Sequence, residues 1–169
     1  ELVKKNIICR FCREYPAIGC EGLDPCNQVC WHQECQESLQ SACNHLCECG
    51  HACCGVAGET DHFGCAICNN SLSICSICKS SCTTSPSVIM KCGHPAHKSC
   101  LISLYESLSE EGKIILPKCS YNLICEEIPY HECVQDAANK WIKIADEINE
   151  AIKIRMGIED IQSEPDHVN

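Results

Sequence analysis

Residues 75–100 read CSICKSSCTTSPSVIMKCGHPAHKSC, and the next cysteine beyond them is Cys119. Two short pairs frame this stretch, Cys75-x2-Cys78 at its start and His97-x2-Cys100 at its end, with Cys92-x-His94 lodged between them. A two-residue spacer lets one tight turn deliver two side chains to a tetrahedral ion, and cysteine sulfur and histidine nitrogen are the donors that zinc selects. A disulfide framework gives histidine no reason to take up that spacing, yet His32-x2-Cys35 takes it up again. Cys9-x2-Cys12 and Cys65-x2-Cys68 repeat the rule, and the chain holds 21 Cys and 8 His in 169 residues, an odd number of cysteines. No apolar signal segment opens the chain. The thiols are therefore read as zinc ligands in a reducing compartment, which makes the expected location intracellular, cytoplasmic or nuclear.

In order, Cys75, Cys78, Cys92, His94, His97, Cys100 and Cys119 follow the ligand sequence of a RING domain. In that arrangement the first and third ligand pairs share one zinc, the second and fourth share another, and long spacers supply the crossing. Cys75, Cys78, His97 and Cys100 would hold one ion, and Cys92, His94 and Cys119 the other. Both sites would be closed tetrahedra with no position for a reactive water, hence structural. The eighth position departs from the pattern, because Asn122 stands three residues after Cys119 where a RING places cysteine. Cys125 is the expected substitute, with Cys133 or His131 as alternatives. The unit could also open at Cys65 and Cys68; the later start is preferred because it leaves that pair to close an upstream site.

Upstream, Cys9, Cys12, Cys26, Cys30, His32 and Cys35 have the order of a second, smaller cross-braced unit that Cys43 and Cys47 would complete. Cys49-Gly50-His51-Ala52-Cys53-Cys54 reads as a knuckle completed by Cys65 and Cys68. At four ligands per site, about three zincs are expected here and about five in all. Cys20, Cys54, Cys82, His45 and His62 are left over as spare groups. Cys20, Cys54, Cys82 and Cys133 are the thiols not claimed by a site, but none stands beside a His and acid constellation that would activate it, so no catalytic residue is assigned.

The expected fold is a set of small zinc-stabilised modules, mostly loops with short helices and strands: a cross-brace RING followed by a long amphipathic α-helix. Only 2 Phe, 2 Trp and 4 Tyr are available to fill a core, and small modules usually need metals or disulfides to offset the surface they leave exposed. The divisions are 1–72, a Cys/His-rich zinc-binding region; 73–130, the RING-type domain; 131–158, the helix; and 159–169, a flexible tail. Val134, Ala138, Trp141, Ala145, Ile148 and Ile152 recur at steps of four and three over about six turns, with Gly157 as the stop. Shorter helices are expected at Lys98–Ser109, with Leu101, Leu104 and Leu108 on one face, and at Glu34–Ala42. The formal charge of −10 and scattered Lys and Arg argue against a nucleic-acid partner. No apolar run is long enough to span a membrane. The first residue is Glu1, which suggests a piece of something longer.

Cys35-Gln-Glu-Ser, then Cys49-Gly-His-Ala-Cys53-Cys54-Gly-Val, then the 75–100 pattern and a helix ending near Arg155-Met156 resemble the RING region of the Pam/Highwire (PHR) family of ubiquitin ligases. The likeness covers roughly residues 26–158, and the upstream Cys-Gly-His-x-Cys knuckle is also similar to units of nuclear-transcription-factor-type zinc fingers. It implies a recruiting module that binds a charged ubiquitin-conjugating enzyme for transfer of ubiquitin to a protein substrate. The family then relays ubiquitin through a tandem-cysteine domain beyond the helix, which has no counterpart in these 169 residues. RING domains dock the conjugating enzyme through an apolar residue inside the first Cys pair and others before the last pair. Those positions fall here on Ile77 and on Ile115, Leu116 and Pro117. A basic residue after the eighth ligand, which many RINGs use to hold ubiquitin, is replaced by Glu126. The alternatives are a zinc-built interaction scaffold without ligase activity and, less favoured, a nucleic-acid-binding zinc-finger protein.

Overall fold

The computed structural model describes residues 8–14, 24–122 and 124–156. Cys20, the stop at Gly157 and the 159–169 tail lie outside the described residues. Regular structure is sparse. Its elements are α1 (Gln33–Ser41), an antiparallel pair β1 (Ser87–Ile89) and β2 (Pro95–His97), α2 (Lys98–Glu110) and α3 (Gln135–Met156), with single 3-10 turns at Pro25–Asn27, Asn70–Leu72 and Glu132–Val134. Loops that carry cysteine and histidine make up most of the remainder.

Two buried clusters organise these pieces. The smaller gathers Cys9, Phe11, Val29, Cys30, Cys35 and Ala42. The larger runs from Cys43 and Cys53 through Phe63, Cys75, Val88 and Met90 to Leu101, Tyr105 and Trp141. Sulfur takes up much of the space that aromatic rings would fill in an ordinary core.

The β1–β2 hairpin sets Val88 opposite Ala96, both fully buried. Its turn is closed by the Gly93 amide donating to Met90 O at 2.8 Å and the Met90 amide to His94 O at 3.0 Å. Gly93 stands at φ +80°, a left-handed conformation in which a Cβ would be strained. That glycine sits between Cys92 and His94, so the turn presents both side chains together.

The Leu101, Leu104 and Leu108 face expected for α2 is rotated in the structure. Leu101, Tyr105 and Ser109 are the buried residues. Tyr105 is drawn inward because its hydroxyl donates to Pro129 O at 3.2 Å, while Ser109 Oγ donates to Tyr105 O at 2.8 Å. A polar ring and a serine therefore occupy positions that hydrophobic spacing alone would give to leucine.

Along α3, Ala138, Trp141 and Ala145 are buried, but Ile152 is 41% exposed. The apolar stripe outruns its support, since α2 has 13 residues against 22 in α3. Trp141 is the anchor. Its Nε1 donates to Lys113 O at 2.7 Å, and its ring meets Tyr105 with centroids 5.9 Å apart at 54°. Replacing Trp141 with Ala should destabilise the zinc-loaded protein by about 3–5 kcal/mol, the usual effect of truncating a buried aromatic. Ile152→Ala should stay within ~0.5 kcal/mol. Urea unfolding in excess zinc, followed by near-UV circular dichroism, compares the two, and equal losses would mean that the helix end is packed.

Candidate metal centres

Each Cys-x2-Cys segment is a tight turn closed by its own backbone. The Arg13 amide donates to Cys9 O at 3.2 Å, Asn69 to Cys65 O at 3.1 Å and Lys79 to Cys75 O at 3.0 Å. Arg13 and Lys79 both adopt left-handed φ, at 61° and 63°. These turns leave paired sulfurs on one side, each set facing a second pair contributed from elsewhere in the chain.

Among the described residues six groups of donor atoms result, each with all its atoms within 4.8 Å of one another, and five of them are Cys9, Cys12, Cys30 and Cys35; Cys49, His51, Cys65 and Cys68; Cys75, Cys78, His97 and Cys100; Cys92, His94, Cys119 and Cys125; and Cys43, Cys53 and His62. Every described cysteine is free of disulfide bonds.

The donor spacing provides a test of fit. For Zn–S of ~2.3 Å and Zn–N of ~2.0–2.1 Å, a tetrahedron has sulfur–sulfur edges of ~3.8 Å and sulfur–nitrogen edges of ~3.6 Å. Cys12 and Cys30 sulfurs lie 3.8 Å apart. Nδ1 of His51 is 3.4 Å from Cys68 and 3.6 Å from Cys65, that of His97 is 3.4 Å from Cys78 and 3.6 Å from Cys100, and that of His94 is 3.6 Å from Cys119. The groups can hold metal ions, and their chemistry and dimensions suit zinc.

Surrounding contacts aim the donors. His97 Nε2 lies 3.0 Å from Ser81 O, and because a carbonyl only accepts, the proton sits on Nε2 and leaves Nδ1 free to face its sulfurs. His94 is held by stacking on Tyr121, with centroids 4.0 Å apart. Burial pushes the Cys75 thiol up, but hydrogen bonds from His97 and from the backbone at Cys78, His97 and Ile77 outweigh it and bring it down to about 6. Burial also disfavours charge on His97, yet Cys75 and the Ser81 carbonyl lift it to about 9. Both shifts favour the thiolate form of Cys75, the form in which sulfur binds a divalent cation.

Asn122 has a definite place in the fourth group. Its Oδ1 accepts from the amides of Ile124 at 3.1 Å and Cys125 at 2.9 Å. The side chain thus shapes the turn that turns Cys125 toward Cys92, His94 and Cys119. Of the alternatives to Cys125, His131 accepts the Cys133 amide on Nδ1 at 3.2 Å and approaches Glu59 with Nε2 at 3.7 Å.

The upstream grouping differs from the one read in the sequence. Cys9, Cys12, Cys30 and Cys35 meet without Cys26 or His32; His32 directly precedes α1. Cys26, His32 and Cys47 lie outside the five groups named above. Cys53 belongs with Cys43 rather than with Cys49 and His51, and His62, set aside as a spare, joins them. The cause is a small hairpin: Leu46 bridges Ala52, Ala42 bridges Val56, and the turn passes through Gly50 at φ +79°. Its tip carries Cys49 and His51 into one group, while its stem puts Cys43 and Cys53 into another. Pairing residues about Gly50 is the signal by which the sequence could have shown this split.

Of the described thiols considered as nucleophiles, burial pushes Cys82 up to about 12 and Cys133 up to about 11, and Cys54 shifts in the same direction for the same reason. That is the reverse of activation.

Among the apolar residues expected to meet a partner, Ile115 is 77% and Leu116 56% exposed, whereas Ile77 and Pro117 are half-buried. Lys79 ties their two loops together, with Nζ donating to Ser76 O at 2.7 Å and also to Ser120 O. Ile124, at 86% exposed, is a further bare side chain beside the same loop that sequence reasoning passed over. Among the described residues no helix is long and apolar enough to cross a membrane.

No family model matches the chain, and no solved structure matches it. One curated protein that does match is the E3 ubiquitin-protein ligase highwire of Drosophila melanogaster, 26% identical over 95% of this chain. The chain spans about 3% of the length of that relative. Together with the Cys/His groups, this distant similarity is to a ubiquitin ligase, and it runs through nearly all of the chain described above.

Proposed function

We propose that residues 73–130 form a RING-type cross-brace and that the chain is the recruiting module of a ubiquitin ligase, docking a ubiquitin-conjugating enzyme for transfer to a protein substrate. The observation that carries this reading is the interleaving of two donor groups: Cys75 and Cys78 meet His97 and Cys100, while Cys92 and His94, which fall between those pairs, meet Cys119 and Cys125. The similarity to highwire supports the same reading. Residues 1–72 are then an upstream zinc-binding region, and the segment 131–158 supports the cross-brace through Trp141.

The docking surface on this reading is Ile77 with Ile115, Leu116 and Pro117. Exposed apolar side chains held in place by fixed loops are typical of partner sites. Autoubiquitination across a panel of conjugating enzymes tests the proposal. Activity with at least one enzyme is expected, together with a tenfold or greater loss in an Ile115→Ala/Leu116→Ala variant that keeps its zinc. Silence with every enzyme, from folded and zinc-loaded protein, would sink the ligase reading. It would favour a zinc-built interaction scaffold, to which one feature already points: Glu126 follows Cys125 and pairs with Lys118 at 3.1 Å, where a basic residue would help hold ubiquitin.

A further inference from the structure

Among the described residues Cys43, Cys53 and His62 gather three donors with no fourth in their group, yet structural zinc sites are almost always four-coordinate. Cys43 Sγ lies 3.4 Å from His62 Nδ1, the sulfur–nitrogen edge found in the complete groups. Backbone amides point at the sulfurs, from His45 to Cys43 at 3.4 Å, and from Gly55 and Gly64 to Cys53 at 3.4 and 3.2 Å. Gly55 must be glycine for this approach, because a Cβ there would meet Phe63 Cβ at 2.9 Å. Such amide-to-sulfur contacts suit thiolates.

Cys26 lies beside this trio. Its side chain is fully buried, and its Sγ reaches His45 O at 3.5 Å. The His45 ring in turn lies flat on the His62 ring, with centroids 4.0 Å apart. Arg10 contributes the most pointed observation. Its guanidinium donates to the carbonyl oxygens of Cys26 at 2.5 Å, Cys53 at 2.8 Å and Cys43 at 3.1 Å. One planar cation thus gathers the backbones of three cysteines that are far apart in sequence and adjacent in space.

We infer that Cys26 closes a fifth zinc site with Cys43, Cys53 and His62, and that Arg10 positions its three sulfur ligands. The inference rests on the zinc reading of the other groups. Three thiolates and a neutral imidazole around a divalent ion leave a net charge of −1, which Arg10 offsets from the protein side, while exposed His62 faces solvent. The site also joins the two buried clusters, because Cys26 precedes Cys30 of the first group and Cys43 begins the second cluster. Residues 24–68 then fold as one unit rather than as two beads.

The test uses the full chain loaded with zinc or cadmium. Native mass spectrometry should count five zincs in the parent, four in Cys26→Ser and in His62→Ala, and five in His45→Ala. In the cadmium-113 form, the Cys26 β-protons should couple to the same ion as Cys43, Cys53 and His62, a measurement on the unaltered chain that stands even if Cys26→Ser fails to fold. Arg10→Gln should leave five zincs at saturation but release one of them to a competing chelator at least tenfold faster. Five zincs in Cys26→Ser, loss of a zinc in His45→Ala instead, or coupling of Cys26 to another ion would overturn the assignment. A parent with four zincs sinks this site alone, whereas a parent with none sinks the zinc reading altogether.

Discussion

Stripping the metal with a strong chelator is expected to unfold the chain from its first knuckle to about Cys133 while part of α3 stays helical. Three of the six residues in the smaller buried cluster and five of the seventeen in the larger are cysteines, and most of these sulfurs converge in the donor groups. A structural zinc contributes roughly 10–16 kcal/mol in a zinc-finger peptide at neutral pH, and the whole stability of a small domain is about 5–15 kcal/mol. Losing several such ions therefore exceeds anything that Val88, Leu101 and Tyr105 can retain. Once released, α3 is a 22-residue helix without a partner, marginal in water but not abolished. Far-UV circular dichroism should keep a residual helical signal, and the fluorescence of Trp141 should move to that of an exposed indole. A metal-free protein with an unchanged near-UV spectrum and a cooperative melt would refute this account.

Cys125→Ser should have the second largest effect: loss of one zinc from the chain and a tenfold or greater weakening of conjugating-enzyme binding. A serine hydroxyl cannot replace a charged, short zinc–sulfur bond. The loop that carries Leu116 runs directly into Cys119, and Cys119 would then lack a complete tetrahedron to fix it. Asn122→Ala makes the informative contrast. It removes two hydrogen bonds to an exposed turn, of about 0.5–1.5 kcal/mol each at most, and no donor, so zinc should stay while the site exchanges metal somewhat faster. Zinc content by native mass spectrometry and enzyme binding by calorimetry read both variants. Should Cys125→Ser retain all its zinc while Cys133→Ser or His131→Ala loses one, the grouping around Cys119 is wrong.

Spacing made the more thinly spaced cysteines of this chain legible. Between Cys75 and Cys125 the short pairs and long spacers admit few pairings, and the structure brings together the residues expected there. Upstream, cysteines follow one another so closely that spacing loses its discriminating power, and a hairpin about Gly50 decides the partners. Cys53 and His62 illustrate the difference: no motif links them, yet the Gly55–Phe63 contact does. The role of Asn122 was not legible either, since it stands at a ligand position in sequence and serves as a turn former in space. Helix positions were readable from periodicity, but the end of packing on α3 was not, because it depends on where α2 stops.

On the zinc reading, the interleaving of the donor groups also bears on how the chain would acquire its metal. During synthesis Cys75 and Cys78 emerge together and can hold an ion by two sulfurs, yet their proper partners, His97 and Cys100, come only after Cys92 and His94 have passed. For an interval the nearest available donors are the wrong ones. With 21 cysteines in 169 residues, an ion held by two thiolates has many incorrect completions and one correct one, and compact wrong states of this kind act as kinetic traps. Thiolate exchange at zinc must therefore outpace aggregation if the chain is to reach its native pairing. Slow, chelator-buffered delivery of zinc should yield more correctly folded protein than a sudden excess.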